Sequence, residues 1–281
     1  MGDAETEKDI AVSGVLVTVI TPTYNQGEFI EETIKSVVLQ TYKNIEYIII
    51  DNQSDDATEQ IIKRYMTQYP NIHYIREKDS GQADALNKGF DLAKGSIVCW
   101  LNSDDYYFEN SVIEKIVKIF NEKEYIDVIY GNGYCCDKHG NILYPHMINT
   151  KHLSLKYLNI LCPILQPSSF WRTNDTRLKN EYPYGFDWVF FRELFINGLK
   201  FFYFNEYLSI YRMYDSNKTG ADNWKRRKEL YSVVRNNLGK FNIITFCFYI
   251  IYLFYWFSEK TGFSWLKSIL RKAIKLIGGK I

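Results

Sequence analysis

Four polar clusters each follow a short apolar run: Thr21-Pro-Thr-Tyr-Asn25, Asp51-Asn-Gln-Ser-Asp55, Glu77-Lys-Asp-Ser-Gly-Gln82 and Asn102-Ser-Asp-Asp105. The last offers two adjacent carboxylates, Asp104 and Asp105, two residues after the amide oxygen of Asn102. Hard oxygens of this kind suit Mg2+ or Mn2+, which often share their coordination with substrate phosphates. The same acids also suit a turn or the cap of a helix beginning near Asn110, and spacing alone leaves both readings open. Asp51, at the end of its apolar run, can accept a hydrogen bond from a base N–H or a ribose hydroxyl, or stand as a solvated turn residue. The four histidines, His73, His139, His146 and His152, lack metal-ligand spacing. Neither G-x-G-x-x-G nor G-x-x-x-x-G-K-[ST] occurs, which disfavours a dinucleotide dehydrogenase or a P-loop enzyme.

The elements that must position these clusters alternate between strand-like and helix-like over the first 130 or so residues. Leu16 to Thr21 is a β-branched run halted by Pro22, and Phe29 to Leu39 repeats apolar residues at Ile30, Ile34, Val37 and Val38. Strands are expected again at Glu46 to Asp51, Ile72 to Arg76 and Ile97 to Leu101, with helices at Thr58 to Tyr69 and Gln82 to Ala93. This alternation predicts an α/β fold, a Rossmann-like, mostly parallel sheet flanked by helices. In such a sheet the polar clusters gather in the crevice outside the carboxyl ends of the strands, where ligands bind.

The clusters and their neighbours carry a resemblance. Val17-Thr-Val-Ile-Thr-Pro-Thr-Tyr-Asn25, Ser36-Val-Val-Leu-Gln-Thr-Tyr42, Ile50-Asp-Asn-Gln-Ser-Asp55, Asp79-Ser-Gly-Gln-Ala-Asp-Ala-Leu-Asn-Lys-Gly89 and Trp100-Leu-Asn-Ser-Asp-Asp105 resemble, in order, the family 2 glycosyltransferases of GT-A fold. The resemblance extends over about Val15 to Thr219. It implies that Thr21, Pro22, Tyr24 and Asp51 surround a uracil-type base and that Gln82, Asp84 and Asn87 meet the donor. Asn102-Ser103-Asp104 stands at the family's D-x-D position, which implies Asp104 as the direct ligand of Mn2+ or Mg2+, with Asp105 beside it. Gln166-Pro-Ser-Ser-Phe-Trp-Arg172 resembles the opening of the acceptor side. Tyr184-Gly-Phe-Asp187-Trp-Val-Phe-Phe-Arg-Glu-Leu194 resembles the segment carrying the general base, which implies Asp187 in that role; by position alone it is an ordinary acid in the first turn of a helix. Tyr211-Arg-Met-Tyr-Asp-Ser-Asn-Lys-Thr219 is similar to a late loop in which Arg212 and Lys218 would meet the diphosphate, with Tyr214 where the family usually has His.

The implied activity is single-displacement transfer of a sugar, with inversion, from a nucleotide donor, UDP first, to a hydroxyl of a saccharide or lipid-linked saccharide acceptor. A polyprenyl-phosphate glycosyl synthase is the alternative within that class, and a non-catalytic sugar-nucleotide-binding protein at a membrane is the alternative outside it. The expected organisation is a polar tail over 1–14, a catalytic domain over 15–220 split into a nucleotide-sugar half (15–131) and an acceptor half (132–220), and a helical segment over 221–281.

Composition narrows the partners. With 34 Lys plus Arg against 33 Asp plus Glu, the net charge of +1 argues against a nucleic-acid partner. Five cysteines without C-x-x-C spacing predict reduced thiols, and the polar, acidic stretch from Met1 to Gly14 contains no apolar run of a secretory leader. Aromatic residues, 17% of the 281, crowd toward the carboxyl end. Ile243 to Phe257 has no charge and as a helix would be about 22 Å long, short of a bilayer core of about 30 Å. Beyond it, Phe263, Leu266, Ile269, Leu270, Ala273, Ile274 and Ile277 share one helical face, with Lys267, Arg271, Lys272 and Lys275 opposite. That pattern predicts contact with an anionic membrane surface through 243–281, at its cytoplasmic face; a core helix or a homo-oligomer would satisfy the same apolar stripe.

Overall fold

The computed structural model describes residues 14–148, 153–214 and 223–261. The expected alternation is present: β1 (Val17–Thr23), α1 (Ile30–Val38), β2 (Ile45–Asp51), α2 (Thr58–Met66), β3 (Ile72–Arg76), α3 (Gln82–Leu92) and β4 (Ile97–Trp100). Strands β3-β2-β1-β4 pair in parallel in that order, so the chain builds outward from β1 to β3 and then returns to its other side. This reversal opens the crevice above the ends of β1 and β4.

The period-two alternation of each strand divides the core between two faces. Val17, Val19, Tyr47, Ile49, Ile97 and Cys99 join α1 and α4 (Val112–Glu122) on one side. Ile20, Ile48, Ile50, Val98 and Trp100 face the other, with α3 and α6 (Phe186–Ile196). There Trp100 meets Trp171 with ring centroids 5.2 Å apart and Phe190 at 5.5 Å, so the strand that delivers the acidic turn is anchored by aromatic packing. A Cβ on Gly89 of α3 would come within 2.5 Å of Ile20, which is why this helix lies so near β1.

Beyond β4 the sheet becomes mixed. After the short β5 (Tyr106–Tyr107) come β6 (Val128–Cys136), β7 (Ile142–His146), α5 (Leu155–Leu158), a 3-10 turn at Gln166–Ser168, β8 (Ser169–Arg172) and β9 (Phe201–Arg212). β8 pairs antiparallel with both β4 and β6, and β9 runs parallel to β6, extending the sheet to the order β3-β2-β1-β4-β8-β6-β9-β5.

Two further helices, α7 (Trp224–Leu238) and α8 (Ile243–Thr261), pack on each other. Gly239, at φ 83°, ends α7 in a left-handed conformation that suits glycine. Val233 and Val234 of α7 bury against Trp188 and Val189 of α6, with Ile244 and Phe248 of α8 against the same cluster. The apolar helix continues four residues past Phe257, so its 19 residues span about 28 Å, more than the uncharged run alone predicts. By length and composition it can cross a membrane, yet Thr245, Tyr255 and Ser258 are buried. Ile243 (71% exposed), Phe246, Phe254, Trp256 and Phe257 face solvent. The basic amphipathic run Phe263 to Ile277 and the tail before Gly14 lie outside the described residues.

Candidate active site

The loops after β1, β2 and β3 lock together before any ligand is considered. Asn25 and Gln53 adopt left-handed conformations, φ 51° and 56°. The Asn25 backbone N–H donates to Ser54 Oγ at 2.8 Å, and Asn25 Oδ1 accepts from the Asp55 N–H at 3.0 Å. The Asp79 N–H donates to Asn52 Oδ1 at 2.9 Å. These bonds pre-form one wall of a cavity of about 880 Å3. Pro22, Tyr24, Gln82, Asn102, Ser103, Asp104 and Asp187 all line it. Thus carboxylates 83 positions apart in sequence open into one space.

Its floor is the turn after β4. Asn102 is a hub: its Oδ1 accepts from Gln82 Nε2 at 2.8 Å, while its Nδ2 donates to Asp105 Oδ2 at 3.0 Å and to Gln166 Oε1 at 3.2 Å. Gln166 Nε2 in turn donates to the Trp100 carbonyl at 2.7 Å, tying the acceptor side to β4. Asp104 Oδ2 accepts from the Tyr214 hydroxyl at 3.0 Å. Burial pushes the Asp104 carboxyl above the usual carboxylate range, and burial plus the Asp104 charge push Asp105 well above it.

Several residues named from the sequence take internal tasks instead. Asp105 is fully buried and outside the cavity lining: Oδ1 accepts from the Arg212 N–H at 3.0 Å and Oδ2 from Asn102, so it braces the turn and does not present an oxygen to a cation. Arg212 is buried too; its guanidinium donates to the carbonyls of Asp104 and Lys138 and pairs with Glu32, placing it behind the acidic turn instead of against a diphosphate. Asp51 accepts from Ser54 and from the Tyr74 hydroxyl at 2.6 Å, holding its own loop. The Thr21 hydroxyl meets that of Tyr47 at 3.1 Å within the sheet. Asn87 exchanges two hydrogen bonds with the Leu178 backbone, and Asp84 accepts from the Ser80 N–H at 2.9 Å, which lowers its pKa. Both lie outside the lining. Lys218 lies outside the described residues.

Asp187 sits in the first turn of α6, where it accepts from the Trp188 N–H at 2.8 Å near the positive end of the helix dipole. Beside it the Cys162 thiol is pushed up by burial and by the Asp187 charge, so it stays un-ionised. His146, whose pKa burial lowers, lines the same cavity as a neutral imidazole at neutral pH. The turn entering α6 is held from α7: Glu229 Oε1 accepts from the Tyr184 and Gly185 N–H groups at 2.9 and 2.7 Å. Gln166 was visible from the sequence only as part of a resembling segment; no local signal marks His146, Cys162 or Glu229.

Among the described residues, no group of three or more His, Cys, Asp or Glu side chains converges to cage a cation. What the cavity offers is a half-buried carboxylate, Asp104, with the Asn102 and Ser103 side chains close in sequence. This set fits Mg2+ or Mn2+ held jointly with phosphate oxygens of a substrate, since these ions retain much of their shell from phosphate and water.

Comparison with known proteins places this geometry. Residues 18–199 match the model of Glycosyl transferase family 2. A Rickettsia prowazekii protein named an uncharacterized glycosyltransferase is 33% identical over 191 residues, 63% of this chain and 59% of that protein. The chain spans 20% to 59% of the length of three such curated relatives. The structure of S. aureus TarS 1-349 in complex with UDP aligns with a TM-score of 0.61 at 20% identity, over 79% of this chain and 66% of that one. The mannosyltransferase PcManGT from Pyrobaculum calidifontis, in complex with GDP-Man and Mn2+, aligns with a TM-score of 0.60 at 15% identity, over 93% and 80%. At these identities the structures share the α/β GT-A architecture.

Proposed function

The chain belongs to glycosyl transferase family 2, and from that membership we propose that it transfers a sugar, with inversion, from a nucleotide donor to a hydroxyl of a saccharide acceptor carried at a membrane. The observation that carries the reading is the single cavity shared by Asp104 and Asp187. Asp187 takes the proton of the acceptor hydroxyl as that oxygen attacks the anomeric carbon. Its place in the first turn of α6 favours the ionised form that can do so. Asp104 would hold the cation that meets the diphosphate of the donor, with Asn102 and Gln82 fixing the turn it stands on. A divalent cation, Mn2+ or Mg2+, supplies countercharge to the departing diphosphate when bound. Pro22, Tyr24 and Asn52 line the wall where the base would lie. UDP is the first choice of nucleotide, because the similar TarS structure holds it.

The membrane part of the reading rests on α8, whose exposed apolar side chains lie next to a basic α7 carrying Lys225, Arg226, Arg227 and Lys228. Apolar exposure bordered by cations suits the anionic surface of a bilayer, and the cytoplasmic face is the side proposed. The test is Mn2+-dependent release of free nucleotide from a panel of UDP- and GDP-sugars. Asp187→Asn should keep donor binding and lose transfer by at least about a hundredfold, the usual contribution of a positioned base. Normal turnover by this variant would exclude Asp187 as the base.

A further inference from the structure

The cavity has a wall to which the reaction above assigns no task. It is formed by α7, which opens with four consecutive cations, Lys225-Arg-Arg-Lys228. The four are not equivalent. Lys225 and Lys228 are exposed. Arg227 lays its guanidinium 4.7 Å from the centre of the Tyr255 ring and so belongs to the packing of α7 on α8. Arg226 alone of the four lines the cavity that contains Asp104 and Asp187. Its helix is fixed there by Glu229, one turn on, which holds the backbone of Tyr184 and Gly185 immediately before Phe186 and Asp187. Leu230 lines the cavity as well, and it packs on the same cluster of Trp188, Val189, Val233 and Val234 as Ile244 and Phe248 of α8.

One cavity thus brings together a carboxylate, a guanidinium and an apolar residue, beside a helix with exposed apolar side chains. A lipid-linked saccharide presents the complementary set of hydroxyl, phosphate and hydrocarbon. Resting on the glycosyl transfer proposed above, we propose that Arg226 binds the phosphate or diphosphate joining a membrane-borne acceptor saccharide to its lipid. A guanidinium suits this task because its planar donors can bind two phosphate oxygens at once and its charge persists at any physiological pH. Leu230 and α8 then receive the first part of the hydrocarbon.

The test uses the full chain loaded with UDP and Mn2+, so that the donor side is already occupied, and titrates it with farnesyl diphosphate by calorimetry. Farnesol and inorganic pyrophosphate serve as probes of the lipid and the phosphate alone. Farnesyl diphosphate should bind more tightly than either. Arg226→Gln should weaken it by about tenfold or more while UDP affinity and the unfolding temperature hold, about 1.4 kcal/mol for each factor of ten. Arg226→Lys, which keeps the charge, should retain part of the binding, and Lys228→Gln should bind as the unaltered protein does. Unchanged affinity in Arg226→Gln would overturn the proposal, as would pyrophosphate binding as tightly as farnesyl diphosphate. An equal loss for UDP would assign Arg226 to the donor and overturn it too. Nucleotide release from donor sugars, scored on the same protein, separates the two readings: its absence counts against the transferase, not against the Arg226 site.

Discussion

The hydroxyl of Tyr214, at the end of the β9 segment, donates to Oδ2 of Asp104 at 3.0 Å, across 110 positions of sequence. The tyrosine is held from its other side by Phe29, with ring centroids 5.0 Å apart. This bond lowers the pKa of a carboxyl that burial raises, and so favours the ionised form a cation requires. The position where the family resemblance expects an imidazole thus carries a donor that works through the carboxylate.

Tyr214→Phe should therefore weaken Mn2+-supported UDP binding. A hydrogen bond to a charged group contributes about 1.5 kcal/mol or more, so the loss should be roughly tenfold in apparent Mn2+ affinity. Mn2+ titration of UDP binding measures it, and an unchanged midpoint would show that the bond does not tune the site.

The clamp on the turn before Asp187, the proposed base, is tested at Glu229. Its carboxylate serves two N–H groups just ahead of Asp187, 44 and 45 positions earlier than itself. Glu229→Ala leaves both donors without that acceptor, a cost of about 1–3 kcal/mol in local order. Turnover should fall while UDP affinity stays, because the donor wall shares no element with this turn. Glu229→Gln, which keeps one amide oxygen to accept, should recover much of the loss. Equal loss of UDP binding in the alanine variant would mean general unfolding instead.

The adjacent acids predict a pH signature. Asp105 has its carboxyl raised well above 3.8 by burial and by the Asp104 charge, so the folded protein holds a proton that the unfolded chain releases. Stability from this group is present below the unfolded value and is lost as pH rises through the folded one. In EDTA, Asp105→Asn removes that loss, so its unfolding temperature relative to the parent should shift in its favour as pH is raised from about 4 to 8. Mn2+ with UDP should narrow the difference by supplying opposite charge beside the pair. A difference that is flat with pH would mean the carboxyl titrates normally.

The parts legible in the sequence were those set by local periodicity. β1 to β4 and their helices follow from alternating apolar runs, and the polar clusters after them fall at one sheet edge because parallel strands must. What stayed hidden was set by distant partners. Arg212 reads as a phosphate ligand until Glu32, 180 positions away, and the Asp104 carbonyl take its guanidinium. Asn87 reads as a donor contact until it meets Leu178, 91 positions on. Asp104 and Asp105 are chemically alike in sequence, and only the packing of β9 against the turn turns one outward and the other in. The α7 wall carries no local pattern at all, since a basic run looks like a solvated face until one of its members borders the cavity.

The last prediction concerns how α8 meets a bilayer. Its 19 residues, about 28 Å, nearly match a hydrocarbon core of about 30 Å, so length alone permits spanning. Packing argues otherwise: Tyr255 is fully buried beneath Arg227, and Glu259 accepts from the Trp224 N–H at 3.2 Å, so one side of the helix is committed to α7. A helix bound along one side to a polar neighbour with four cations cannot enter hydrocarbon without carrying those charges in, at a cost of several kcal/mol each. Lying in the interface turns exposed apolar side chains such as Ile243, Phe246, Phe254, Trp256 and Phe257 to lipid and leaves α7 in water. The protein should accordingly pellet with vesicles containing phosphatidylglycerol, less with neutral ones, and be released by alkaline carbonate. Phe246→Ser, Trp256→Ser and Phe257→Ser together should abolish pelleting with UDP binding intact, because each exposed aromatic returned to water forfeits about 1–3 kcal/mol of partition energy. Retention through carbonate would mean that α8 parts from α7 and spans; loss of a dimer in place of pelleting, seen by light scattering, would mean that the apolar face covers a second copy.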